Sequence, residues 1–199
     1  MGEGVPDVNG LHRLLAATAL AVVAAALGVA AFADTDSRTD GGPLRAPNPH
    51  GWSTSNSVGD VFTDGMEVLH LEGNREAVIE DVRLVGDDGL ELVGAKVAGQ
   101  DRAIGFIQYN ADFPPVNDPD LGDPVLIDAI GATVTPYSGG WELLLGIKAT
   151  KEGFLVREGV EIDYRVGGEE YTVFREAWLG VCTSPRYEVD GDCPLPGGE

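Results

Sequence analysis

Apolar residues recur at every second position in several short segments of this chain, and turn residues separate these segments. In residues 160–166 one face carries apolar side chains and the other charged ones, namely Val160, Ile162, Tyr164 and Val166 against Glu161, Asp163 and Arg165. This alternation predicts a half-buried antiparallel strand. Gly167 and Gly168 then suit a tight turn, and residues 171–181 are expected to return as the second strand of a hairpin.

Further strands are predicted at residues 66–71, 77–85, 90–98, 104–109, 124–135 and 141–149. In the last of these, Trp141 shares a face with apolar residues, and we expect it to anchor the core. About eight strands without an intervening helical period favour two packed antiparallel sheets. We therefore predict an immunoglobulin-like antiparallel β-sandwich over residues 58–182.

The N-terminal region contains an apolar segment at residues 14–33 that has no charged residue over 20 positions. As a helix it would be roughly 30 Å long, which matches a bilayer core. Arg13 precedes it and Asp34 follows it, so we predict a single transmembrane helix with residues 1–13 in the cytoplasm and the rest outside the cell membrane. Ala31-Phe32-Ala33 also fits a signal-peptidase site. Cleavage near Ala33, giving a secreted protein, therefore remains open.

Residues 34–57 are rich in Pro, Gly, Ser, Thr and Asp and contain few apolar residues. This composition predicts a flexible linker, with Trp52 docking on the domain. At the other end, Cys182 and Cys193 are the only cysteines. Because an exported domain meets an oxidising environment, we predict a disulfide that closes the C-terminal tail, residues 183–199.

One Ala/Val-rich segment, a linker and a final hairpin with the sequence YRVGGEEYTVFREAWLGVC follow one another along the chain. This arrangement resembles uncharacterised single-span envelope proteins of high-GC Gram-positive bacteria that carry an immunoglobulin-like β-sandwich outside the membrane. The resemblance is one of architecture and covers most of the chain. It implies a surface protein and transfers no catalytic residue.

Charge narrows the range of partners. The chain has 13 Lys and Arg against 33 Asp and Glu, a net charge of −20, and no cluster of basic residues. Such a surface repels phosphate backbones, which excludes nucleic-acid binding. The expected partners are the membrane, through the N-terminal helix, and an unknown envelope protein or cell-surface component.

Candidate catalytic groups are few. His70 is the only histidine in residues 58–182, so the domain lacks the paired nucleophile and base of covalent catalysis. Carboxylates such as Glu80, Asp81, Glu161 and Asp163 leave a secreted envelope hydrolase as an alternative. We predict instead a membrane-tethered extracytoplasmic binding or accessory module that is not an enzyme.

One loop carries candidate metal ligands. Residues 110–123 are rich in proline and oxygen ligands, namely Asp112, Asn117, Asp118, Asp120 and Asp123. Hard oxygen ligands at this density suit Ca²⁺, although the spacing is not that of an EF-hand. A Ca²⁺-stabilised adhesive or structural surface domain is therefore an alternative function. Acidic residues that cap turns in a solvated loop are the simpler interpretation.

Overall fold

The structure, a computed structural model, describes residues 38–45, 50–98, 106–108, 113–115, 125–183 and 193–196. The secondary structure of these residues consists of twelve strands: β1 (Thr39–Asp40), β2 (Leu44–Arg45), β3 (His50–Ser55), β4 (Val61–Leu71), β5 (Ala77–Gly86), β6 (Leu90–Ala98), β7 (Phe106–Gln108), β8 (Leu126–Asp128), β9 (Thr133–Val134), β10 (Trp141–Ala149), β11 (Phe154–Val166) and β12 (Glu169–Cys182). The predicted all-β class is confirmed. Over the same residues, no helix is long and apolar enough to cross a membrane.

The strands form two sheets. The first sheet has the order β1-β12-β11-β5-β9, with β3 also paired to β12, and the second has the order β2-β4-β10-β6-β8, with β7 also paired to β4. The long strands pair antiparallel, whereas β1 and β3 run parallel to β12. Two sheets of mostly antiparallel strands around a shared apolar core make a β-sandwich, as predicted.

The core is built from the inward faces that the alternation predicted. On β11, Val160, Ile162 and Tyr164 are fully buried. On β10, Leu143 and Leu145 are equally buried, and Trp141 packs against the same core. The Trp141 indole satisfies its only donor by a 2.8 Å hydrogen bond from Nε1 to the carbonyl oxygen of Thr135. Trp141 is thus a core anchor whose polar atom is paired.

Four charged side chains lie inside this core, and we call Asp64, Glu67, Arg157 and Arg175 the buried ionic cluster. Each side chain is at most 1% exposed. Arg157 donates to Asp64 Oδ2 at 2.5 Å and to Glu67 Oε1 at 3.1 Å. Arg175 Nε lies 3.5 Å from Glu67 Oε2. The cluster joins β4 of the second sheet to β11 and β12 of the first, so it is an ionic cross-link between the sheets.

A register shift in β4 brings both carboxylates inside. Residues three apart on a regular strand point to opposite faces. Glu67 pairs with Leu143 and Asp64 with Leu145, so the β4 segment between them has one more residue than its partner. This bulge puts Asp64 and Glu67 on the same, inward face. The charged residues of β4 are therefore positioned by its backbone.

The flexible linker predicted for residues 34–57 is corrected by the structure, because β1, β2 and β3 lie within it. These edge strands need backbone partners more than apolar side chains, so a polar composition does not prevent them from pairing. Leu44 is buried, and Trp52 packs against the core as expected. Tyr164 Oη accepts a hydrogen bond from Leu44 N at 3.1 Å and donates to the Gly41 carbonyl. The sandwich therefore begins before residue 58.

The predicted disulfide is confirmed: Cys182 at the end of β12 is bonded to Cys193, with their Cα atoms 5.7 Å apart. Ser53 Oγ on β3 donates to the Cys193 carbonyl at 3.0 Å, so the tail also contacts the edge of the first sheet. The predicted cytoplasmic residues 1–13 and transmembrane or signal segment 14–33 lie outside the described residues.

Candidate functional site

The outer face of the first sheet, formed by β5, β11 and β12, carries a group of arginines and carboxylates around Arg83. Arg83 donates to Glu161 from Nη2 at 2.6 Å and to Asp163 from Nη1 at 2.8 Å, and it also pairs with Asp81. Arg38 lies 3.2 Å from Glu80. We call this group the Arg83 network; its members are Arg38, Glu80, Asp81, Arg83, Glu161, Asp163 and Arg165.

The network brings together the four carboxylates that the sequence offered for acid–base chemistry, and it pairs each of them with an arginine. Burial alone would raise the pKa of Asp163, yet hydrogen bonds from Arg83 and Thr172 outweigh it and hold that pKa below its ordinary value. The hydrogen bonds to Asp163 and Glu161 also raise the pKa of the Arg83 guanidinium. A glycosidase needs one carboxylic acid with a raised pKa, and Asp163 has the opposite shift.

An open groove of about 630 Å³ lies at one end of the same face. Its walls come from the β4–β5 connection, the segment after β9 and the β11–β12 turn, and its lining residues are Asn74, Arg75, Glu76, Val78, Thr135, Pro136, Arg165, Gly167 and Gly168. Three connections thus meet around one concavity. A concave site walled by loops on a rigid sheet is the usual geometry of a binding site.

Two guanidinium groups line this groove. Arg165 Nε lies 3.5 Å from Glu80 Oε1, which links the groove to the Arg83 network. Arg75 reaches the β11–β12 turn, where a β-carbon at Gly167 would lie 2.9 Å from its Nη1 atom. Gly167 also has a positive φ of 59°, which glycine adopts without strain. Glycine at this turn therefore allows Arg75 to lie against it.

Farther along the face, Phe174 on β12 is 49% exposed. A β-carbon at Gly159 would lie 2.5 Å from Cε2 of Phe174, so the ring lies directly over the glycine backbone. The registers place Glu161 opposite Phe174, and Glu176 opposite Gly159. We call Phe174, Gly159, Glu161 and Glu176 the Phe174 platform.

The predicted Ca²⁺ ligands Asp112, Asn117, Asp118, Asp120 and Asp123 lie outside the described residues, so that site stays a prediction. The described part of their loop, residues 113–115, lies on the second sheet, where a β-carbon at Gly146 would collide with the Phe113 ring. Within the described ranges, no group of three or more His, Cys, Asp or Glu side chains is arranged to hold a metal ion.

Sequence reasoning identified the acids of the outer face but missed their partners and the Phe174 platform. Alternation counted from the buried Ala77 and Ile79 would place Arg83 inward; a register shift between Ile79 and Asp81 turns it outward, so neither its direction nor its neighbours across β11 followed from the sequence. Phe174 occupies an outward position of the predicted return strand. The break in alternation at Phe174 was the available signal for an exposed aromatic residue.

No family model and no curated protein matches this chain.

Proposed function

We propose that this protein is a membrane-tethered extracytoplasmic binding or accessory module without catalytic activity, and that the outer face of its first sheet contacts another envelope component. The observation that carries the proposal is the composition of this face. It combines a loop-walled groove, an exposed aromatic ring and the Arg83 network on three long neighbouring strands. A rigid sheet holds these groups at fixed spacing, which suits recognition.

The proposed location rests on both ends of the chain. The Cys182–Cys193 disulfide favours an oxidising compartment. The uncharged segment at residues 14–33, with Arg13 before it, favours a single span with the N-terminus inside and the domain outside. Cleavage near Ala33 would give a secreted form of the same domain. Both versions agree with the architectural resemblance to single-span envelope proteins of high-GC Gram-positive bacteria.

We further propose that the sandwich is immunoglobulin-like, and its strand order supports this. In that fold, strands A to G form one sheet ABED and another sheet CFG. The same two orders result if these letters are given, in chain order, to β2, β4, β5, β6, β10, β11 and β12. The groove then lies at the end formed by the B–C and F–G connections, which is the end that carries the binding loops of antibody variable domains.

The buried ionic cluster gives this proposal a second support. Antibody domains join strands B and F by a disulfide between the sheets. In the lettering above, Asp64 and Glu67 lie on strand B and Arg157 lies on strand F. The ionic cross-link of this protein thus connects the same two strands.

We propose that the protein is not catalytic because the acids of the outer face are paired with arginines. Asp163 has a lowered pKa and accepts hydrogen bonds from Arg83 and Thr172. An ionised, paired carboxylate can orient a partner but is a weak proton donor at neutral pH. Binding of a partner requires no change in the protonation of these groups.

Fractionation of cells that produce the full chain with a C-terminal tag tests the proposal. We expect a membrane-bound product that external protease digests, and whose non-reduced mass is two hydrogens below that of the reduced chain. A photo-crosslinking amino acid at Val78 in the groove should then give a discrete adduct in cells, whereas the same residue at Val93 on β6 should not. A cytoplasmic product, or equal adducts from both positions, would overturn the proposal.

A further inference from the structure

We propose that the Phe174 platform captures an arginine or lysine side chain from a basic peptide segment of the partner. This inference rests on the proposed binding function and specifies the chemistry of the partner. The guanidinium or ammonium group would lie on the free face of the Phe174 ring, beside the carboxylate of Glu176. A cation above an aromatic ring is attracted by the ring quadrupole.

The position of the ring is the first argument. Phe174 lies over Gly159, where any β-carbon would collide with it, since the distances to Cε2 and Cζ would be 2.5 and 2.6 Å. One face of the ring is therefore covered by backbone, and the side chain as a whole remains 49% exposed. An aromatic side chain fixed in this way loses little conformational entropy when a partner binds.

The carboxylates around the ring are the second argument. Glu161 is paired across the strands with Phe174, and Glu176 follows Phe174 by two positions on the same face. Glu176 accepts a hydrogen bond of 3.1 Å from Trp178 Nε1, which orients its carboxylate along the sheet. The exposed Glu158 precedes Gly159. Because Glu161 already accepts hydrogen bonds from Arg83, the negative charge available to a partner near the ring comes from Glu176 and Glu158.

Charge complementarity selects the occupant. The Arg83 network has four carboxylates for three arginines, and the platform adds Glu176 and its neighbour Glu158. The whole chain has a net charge of −20. A basic segment is attracted to this face over long range, and an acidic one is repelled. The aromatic ring then supplies the local contact that a merely acidic surface lacks.

The test uses two blocked pentapeptides, Gly-Arg-Gly-Arg-Gly and the same peptide with citrulline in place of arginine. Citrulline has nearly the same shape as arginine but no charge. Each peptide is titrated into the isotope-labelled full chain in detergent micelles, and the backbone amide signals are followed by NMR. We expect the arginine peptide to shift the amides of Gly159, Phe174 and Glu176, and the citrulline peptide to leave them unchanged.

Two pairs of variants locate the contact. Phe174→Leu keeps an apolar side chain but removes the ring, and we expect about a two- to fivefold weaker affinity for the arginine peptide. Ile130→Ala changes a side chain of similar exposure, 54%, away from this face and should have no effect. Glu176→Gln should weaken binding more than Glu91→Gln, which removes the same charge from an exposed position on β6.

The outcomes separate this inference from the proposed function. If Phe174→Leu binds the arginine peptide as tightly as the unchanged protein does, the inference is wrong. It is also wrong if Glu176→Gln and Glu91→Gln lose the same amount of affinity, because the attraction is then diffuse. If the arginine peptide shifts only the amides of the groove, around Arg165 and Gly168, the face still binds but the platform is not the capture site. Loss of membrane association or of the Val78 adduct, by contrast, overturns the function itself.

Discussion

The buried ionic cluster and the Arg83 network are made of the same residue types but differ in their access to water. In the cluster all four side chains are at most 1% exposed, and in the network the side chain of Arg83 is 42% exposed. Burial lowers the pKa of Arg175 even though Glu67 opposes this shift, whereas the pKa of Arg83 is raised by its partners. Desolvation thus dominates inside the core, and hydrogen bonding dominates at the surface.

The difference in solvent access indicates what the cluster and the network each contribute to the stability of the fold. Charges in the core stabilise the fold only while every partner is present, because an unpaired buried charge is strongly destabilising. Apart from the nearly buried Asp163, the charges on the face have access to solvent, and each contributes little to stability. The cluster therefore fixes how the two sheets pack, and the network remains adaptable enough to take part in binding.

The largest expected effect is the loss of Arg157. Arg157→Met removes the arginine that pairs with the buried Asp64 and leaves Arg175 beside Glu67, and we expect the free energy of unfolding to fall by about 3–5 kcal/mol. Urea denaturation of the full chain measures this. Replacing all four cluster residues together by Leu and Met should recover most of the loss, since no charge is then left unpaired. A loss below about 1 kcal/mol for Arg157→Met would contradict the comparison.

A smaller effect is expected at the surface. Arg83→Met removes the central partner of Asp81, Glu161 and Asp163. Solvent still reaches Asp81 and Glu161, and Arg38 still lies 3.7 Å from the nearly buried Asp163, so we expect a loss of about 1 kcal/mol. The same urea titration applies. If Arg83→Met lowers the free energy of unfolding as much as Arg157→Met does, solvent exposure does not distinguish the network from the cluster.

At low pH the Arg83 network should no longer contribute to the stability of the fold. Because the pKa of Asp163 is lowered in the folded protein, its ion pairs stabilise the fold above the ordinary carboxyl pKa of about 4, and this stabilisation is lost as the pH falls through the lowered value. The difference in unfolding free energy between the unchanged protein and Arg83→Met should therefore be greatest near neutrality and shrink in acid. A difference that is constant from neutral pH to about pH 3 would refute this assignment.

Added salt should cause the smallest of these changes in the free energy of unfolding. At about 0.5 M NaCl, exposed ion pairs are screened, and we expect the penalty of Arg83→Met to shrink by a few tenths of a kcal/mol. The penalty of Arg157→Met should stay constant, because its partners have no contact with solvent. Paired thermal melts of both variants in low and high salt provide the measurement. Equal salt dependence would show that water reaches the cluster.

The sequence predicted the long strands well where apolar and polar residues alternate, and it failed at the buried charges. The predicted strand at 66–71 is the end of β4, which begins at Val61, and the predicted strand at 160–166 is the end of β11, which begins at Phe154. Both predictions stopped short of a charged residue of the core, Asp64 or Arg157. Their partners come from other strands, so only the tertiary structure could identify these positions as inward.

The candidate site was predictable in parts. Outward carboxylates on residues 160–166 follow from alternation alone, and β11 confirms that alternation. The groove was not predictable, because Arg75 and Arg165 are 90 positions apart in the sequence and meet through the pairing of β5 with β11. The position of the Phe174 ring likewise depends on Gly159 of the neighbouring strand, over which the ring lies.

The parallel pairing of β3 with β12 determines how the domain would carry mechanical load. Six residue pairs join these strands, from Ala177 beside His50 to Cys182 beside Ser55. A pull on the N-terminal end of β3 against the C-terminal end of β12 acts at opposite ends of the ladder, so its hydrogen bonds are sheared together rather than opened one at a time. A pull from the N-terminal side reaches β1 first, and β1 is also parallel to β12, with Thr39 beside Tyr171 and Asp40 beside Thr172. Both parallel ladders would thus be loaded in shear.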